Sequence, residues 1–168
     1  MEVFEIHITG DESILKNGMQ LGVKTIAVDL LKPDKSILRS EYMTSHIAKF
    51  NNFQDCVKFV DGLSHQLEQM GTKIIRKKIE CPPYQHYLNS SLYMESHFKL
   101  SLDATPNFPI SRNQNKDYLL GTDRTYDKSD YKRFHDAHQD DELELCLYDS
   151  FIDEDLDWLS LPRHSLLR

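Results

Sequence analysis

A carboxylate and an imidazole two positions apart occur twice, as Glu5-Ile6-His7 and as Glu95-Ser96-His97. On an extended strand such residues share one face, about 6–7 Å apart along the chain. An imidazole with an ordinary pKa near 6.5 can act as acid or base at neutral pH. Two of them flanking a scissile P–O bond would divide that work, so His7 and His97 are the candidate catalytic pair. Thr9, Arg76, Lys78 and Lys99 would bind the anionic substrate, arginine through its bidentate fork and lysine as a point charge. Glu5, Glu80 and Glu95 are placed to orient the imidazoles or to hold a metal.

The elements that must position these residues follow from hydrophobic periodicity. Phe4, Ile6 and Ile8 alternate with Glu5, His7 and Thr9, and Met94 and Phe98 alternate with Glu95, His97 and Lys99. Both patterns are those of half-buried strands. Residues 24–31 read as a more buried strand ended by Pro33-Asp34, and residues 10–22 as a polar connection with a turn at Asn17-Gly18. Residues 39–50 fit either a short strand or a loop. Asn52 caps a helix whose stripe runs Phe53, Cys56, Val57, Val60, Leu63, Leu67 and Met70, and Gly71 supplies its C-terminal cap. His65 lies off that stripe, facing solvent. Residues 72–80 form a strand with Ile75 and Ile79 on one face and Arg76, Lys78 and Glu80 on the other; Cys81-Pro82-Pro83 stops it.

In the second half the Glu95/His97 strand leads, followed by a polar connection over 103–118. A weaker strand over 122–126, a short helix over 130–138 and a strand over 142–148 complete the order. The last alternates Leu143, Leu145 and Leu147 with Glu142, Glu144 and Cys146. His86, His135 and His138 read as loop and helix-surface residues. The predicted fold is α+β: two pseudo-duplicated ββαβ units, a mostly antiparallel curved sheet around a polar cleft, and helices on the outer face. One domain is expected over 1–168, with halves at about 1–83 and 90–150 and an acidic extension over 149–168.

The net charge of −7 excludes broad, sequence-independent binding to a nucleic-acid backbone. No apolar run approaches the roughly 20 residues that span a bilayer, and Met1-Glu2-Val3 lacks the features of a signal peptide. A cytoplasmic protein is therefore expected, with Cys56, Cys81 and Cys146 as small core residues. The aspartates of 153–157 lack the glycine and distant glutamate of a calcium loop.

His7-Ile8-Thr9 and His97-Phe98-Lys99 resemble the paired strand motifs of 2H phosphoesterases, with lysine standing in the second motif where that family has a hydroxyl residue. The resemblance implies a duplicated α+β fold and two-histidine acid/base catalysis at a phosphoester or nucleotide phosphate, with Thr9 on phosphate oxygens. A second set, Glu5, Arg76, Lys78, Glu80, Glu142 and Glu144, looks like the lining of a small barrel. It is similar to that of triphosphate-tunnel enzymes, which implies basic side chains on phosphates and glutamates on a divalent metal. The N-terminal Glu-x-Glu-x-Lys of that family is absent. A mononuclear metal on His7, His97 and Glu5 or Glu95 is a further option. Two plainer readings stand beside these. A half-exposed sheet shows water a polar face without any site, and the acidic aromatic stretch around 149–158 could be the docking surface of a non-catalytic interaction module.

Overall fold

The computed structural model describes residues 1–104, 109–139 and 141–151. The chain runs β1 (Glu2–Gly10), α1 (Ser13–Gln20), β2 (Thr25–Leu31), β3 (Ile37–Phe50), α2 (Phe53–Gln69) and β4 (Ile74–Cys81). It continues through β5 (Tyr93–Leu100), β6 (Ile110–Asn113), β7 (Leu119–Thr125), α3 (Tyr131–Ala137) and β8 (Glu142–Phe151). The eight strands close into a barrel in the order β1-β3-β2-β6-β7-β5-β8-β4, and every ladder is antiparallel. The α+β class and the antiparallel sheet of the sequence reading hold, but the sheet has no free edge.

Closure explains which face of each strand is apolar. An eight-stranded barrel leaves an interior only wide enough for side chains or one small ligand. Helices must therefore pack outside, and the apolar positions of β1, β4 and β8 turn outward to meet them. Phe4, Ile6, Ile8, Ile79, Leu145 and Leu147 join Cys56, Val60, Leu63 and Leu67 of α2 and Phe134 of α3 in one buried cluster. The polar positions turn into the lumen. α2 begins where expected, the Asn52 side chain accepting from the Asp55 N–H at 2.9 Å. Such a cap contributes about 1 kcal/mol. Gly71 takes the left-handed conformation expected after the helix, φ +91°.

Several expectations give way. Residues 13–20 are a helix, not a polar connection. Asn17 and Gly18 lie inside it because packing outweighs their turn preference. The Asn17 side chain is buried and donates to the Thr72 hydroxyl at 2.8 Å, and a Cβ on Gly18 would lie 2.5 Å from Thr25. Residues 37–50 form a 14-residue strand, held on both sides by β1 and β2. The 103–118 connection contains β6, which pairs with β2 to join the two halves. Each predicted ββαβ unit therefore has a third strand before its helix. His138 is not a surface residue: its ring is held between Asp123 (3.0 Å) and Asp141 (2.8 Å), docking the end of α3 on β7. His65 does face solvent, against Gln69. The cysteines are buried and unbridged. No helix among the described residues is long and apolar enough to cross a membrane. The stretch from 152 onward, and with it most of the supposed docking surface, lies outside the described residues.

Gly10 sits where the β1–β4 register shifts, and a Cβ there would meet the Lys73 carbonyl oxygen at 2.8 Å. Gly10→Ala should therefore lose about 1–3 kcal/mol of stability. Gly62→Ala, in the open middle of α2 with nothing within 4 Å, should gain about 0.5–1 kcal/mol. Urea denaturation of both variants checks the pair, and equal effects would contradict the packing described.

Candidate functional site

The barrel interior encloses a cavity of about 860 Å³, within the range of small-ligand pockets. The register places its chemistry. Across β1 and β4, Glu5 opposes Glu80, His7 opposes Lys78 and Thr9 opposes Arg76. On the far side of β8, Glu95 opposes Glu144 and His97 opposes Glu142. Four strands thus project ionisable side chains at every second position into one space.

Lys78 lies at the centre. Its ammonium is 2.5 Å from Glu80 Oε1 and 2.7 Å from Glu95 Oε1, and all three residues are at most 6% exposed. Burial works against the charge of Lys78, but Glu80 and Glu95 outweigh it and raise its pKa. Glu95 also accepts from His97 Nε2 at 2.8 Å and from Arg124 Nε. Despite burial, Lys78 and Arg124 hold it well below the ordinary carboxylate range. Arg124 stacks over Tyr93, 4.9 Å to the ring centre, and the Tyr93 hydroxyl donates to Asp149 at 2.7 Å. Asp149 takes a bidentate pair of hydrogen bonds from Arg76, each 2.7 Å.

The two histidines lie on strands that are not neighbours, β1 and β5 being separated by β4 and β8. His7 Nε2 lies 3.3 Å from Glu5 and 3.5 Å from Glu80. Burial opposes its charged form, yet those carboxylates prevail and raise its pKa to about 9. Its Nδ1 is buried without a hydrogen-bond partner among the described residues. His97 is shifted upward too, Glu95 overcoming burial, and its Nδ1 meets the Thr122 hydroxyl at 3.2 Å. His7 therefore carries its proton near neutral pH, and His97 is shifted in the same direction.

Two sets of ligand atoms lie close enough to hold a cation: Glu80, Glu95 and His97, and Glu5, Glu142 and Glu144. In the first, the Lys78 ammonium already occupies the gap between the carboxylates. In the second, the His7 ring stands 3.3 Å from Glu5. Burial, with Glu80 and Glu5 nearby, pushes Glu144 up to about 10, while the hydrogen bond from His7 brings Glu5 down to about 2. One proton is thus held on Glu144 beside ionised Glu5. Neither set among the described residues includes both His7 and His97.

Of the predicted site residues, Glu5, His7, Thr9, Arg76, Lys78, Glu80, Glu95 and His97 all line the cavity. Lys99 does not. It lies on the exposed end of β5 over the Tyr118 ring, 5.2 Å away, because the strand runs past the lumen there. Arg124 is a direct partner of Glu95. Asp149 and Tyr93 were missed. A bulge opposite Ile79/Glu80 inserts Leu147, so strict alternation on β8 fails and Asp149 turns inward. Glu41, which burial raises against the pull of Arg39 and Arg76, was hidden in the segment read as strand or loop. No protein-family model matches the chain, and comparison with curated proteins and with solved structures gives no match.

The proton inventory makes stability depend on pH with a definite sign. His7 and Glu144 bind a proton more tightly folded than unfolded, so stability falls as pH rises through about 9 and about 10. Glu5 does the reverse, losing its contribution as pH drops through about 2. Thermal denaturation across pH should therefore show greatest stability near pH 5–6 by these unfolded values, not above 8. Glu144→Gln should flatten the alkaline limb; an unchanged limb would refute the shared proton. Lys78→Met should lose about 3–5 kcal/mol at pH 7, with partial recovery at lower pH as Glu80 or Glu95 protonates. Chemical denaturation at pH 5 and 7 measures both.

Proposed function

We propose that this protein is a phosphohydrolase that holds a small phosphate-bearing substrate inside its barrel. The observation that carries this reading is the convergence of Arg76, Lys78, Arg124, His7 and His97 on one cavity, beside a carboxylate trio. Six Lys and Arg against eight Asp and Glu line that cavity. A lining so nearly balanced would resist a bare polyanion but accept a phosphate accompanied by a divalent cation. Glu5, Glu142 and Glu144 would hold the cation, with release of the Glu144 proton, and bound there it would shield the phosphate charge. The basic side chains would grip the phosphoryl oxygens.

The closed barrel supports the similarity to triphosphate-tunnel enzymes over the two-histidine scheme in its original form. With its proton held up to about pH 9, His7 is not poised as the base. In the reaction we propose, water adds to the terminal phosphorus, the bridging P–O bond breaks, and His7 or His97 gives a proton to the leaving oxygen. The attacking water's proton leaves to solvent. A duplicated origin accords with the strand order: exchanging β1–β4 for β5–β8 returns the same ring. The two Glu-x-His pairs then occupy equivalent strands, each followed by two strands, a helix and a strand.

Phosphate release from tripolyphosphate and from nucleoside triphosphates, with Mg²⁺ or Mn²⁺, tests the proposal. Turnover should fall about 100–1,000-fold in Arg124→Met, by loss of one charged donor, and about 100-fold or more in His7→Gln. Far-UV circular dichroism should confirm that both variants are folded. Absence of both turnover and calorimetric tripolyphosphate binding in the wild type would sink the reading.

A further inference from the structure

The lumen is two-sided. In a ring of eight strands each strand faces the one four places on, so β2 and β6 stand across the interior from β8 and β4. The β4–β8 wall carries Arg76, Lys78, Glu80, Glu142, Glu144 and Asp149. The β2 wall carries Ile26, Val28 and Leu30, with Met43 and Glu41 of β3 on one side, Ser111 and Asn113 of β6 on the other and Leu120 of β7 beyond, all lining the same cavity.

This is an inversion of the rule followed by the other half of the barrel. On β1, β4 and β8 the apolar face turns outward, against the helices. On β2 the outward side chain is Asp29, bound to Ser40 at 2.8 Å, Gln114 at 2.9 Å and Arg112 at 3.2 Å. The aliphatic set therefore does not serve outer packing. Ile26, Val28 and Leu30 are only partly buried, so apolar surface is left facing the cavity across from the charges. Wet aliphatic surface inside a concavity is unfavourable, and a ligand that covers it is bound more tightly for doing so. The cavity-facing side chains of β2 are branched and aliphatic from Ile26 to Leu30, with no aromatic ring from β2 or β6 on which a base would stack.

From this two-sided lumen we infer that the ligand is an amphiphilic phosphate. Its phosphoryl groups lie on the β4–β8 side and a saturated or prenyl-type hydrocarbon chain lies along β2. This rests on the phosphate-binding reading above and specifies its substrate class. Chain length is then the variable the protein reads. Each two additional methylenes should tighten binding on the order of tenfold until the wall is covered.

Calorimetric titration in the presence of Mg²⁺ tests this, with butyl, hexyl and octyl diphosphates below their micellar concentrations. Tripolyphosphate, ATP and 1-octanol are the comparison ligands. The expected result is affinity rising from butyl to octyl, with octyl diphosphate tighter than tripolyphosphate, ATP or octanol. Val28→Ser should flatten that rise while Val28→Leu preserves it, each variant being checked for a native melting transition. Equal binding of all the alkyl diphosphates would overturn the inference and leave the phosphate reading standing. Binding of no phosphate-bearing probe would overturn both. ATP binding tighter than octyl diphosphate would overturn the aliphatic assignment, as would octanol matching octyl diphosphate. A chain-length dependence surviving in Val28→Ser and Leu30→Ser would remove β2 from it.

Discussion

The ammonium of Lys78, wedged between Glu80 and Glu95 inside the barrel, is the interaction on which the lumen depends. Moving such charges out of water costs several kcal/mol each even after relaxation, and only close compensation makes it tolerable. One cation between two carboxylates leaves negative charge over, and Arg124 on Glu95 and protonated His7 against Glu80 supply the balance. Arg76 pairs with Asp149, which the Tyr93 hydroxyl ties to the same network. The arrangement is sound only while the ring of strands is shut, because opening any ladder would admit water and release the side chains that hold one another.

Closure also governs the rest of the fold. With the interior given to ionised groups, the apolar core has to lie outside the ring, beneath α1, α2 and α3. The long α2 and the leucines of β8 form one side of that shell, and Phe134 reaches it from α3. The ring of His138 stacks near both Phe98 and Phe134 while its nitrogens meet two aspartates, so a polar anchor and an apolar one hold the short helix together. At only seven residues, α3 would be marginal in water without such tertiary support.

The electrostatics of the lumen divide the two histidine-bearing strands from the roles first suggested by their spacing. Glu-x-His on a strand can create a base, by leaving the imidazole half-solvated, or a cation, by surrounding it with carboxylates. Here Glu80 joins Glu5 around His7, which becomes a cation, and Glu95 shifts His97 in the same direction. The same surroundings give Glu144 a proton to lose. What the cavity offers a ligand is a set of fixed donors on one wall, displaceable charge at one corner and hydrocarbon on the opposite wall.

Much of this was legible locally. Period-two alternation at Glu5/His7/Thr9, Arg76/Lys78/Glu80 and Glu95/His97 named most of the charged lining, and Asn52, the apolar stripe and Gly71 bounded α2, because each pattern depends only on neighbours in the chain. Lys99 and Asp149 mark the limit: whether an alternating residue faces the lumen depends on where the barrel ends and where a bulge shifts parity, and both are set by partner strands distant in sequence. The same reason hid α1, β6 and the length of β3, whose residues are weakly patterned and are held in place by Thr72, by β2, and by β1 and β2 together. Residue type and spacing determined which groups could do chemistry. Only the closed ring decided that they meet, which of them are protonated, and that an aliphatic wall stands across from them, because proximity and burial belong to pairs of strands rather than to any one of them.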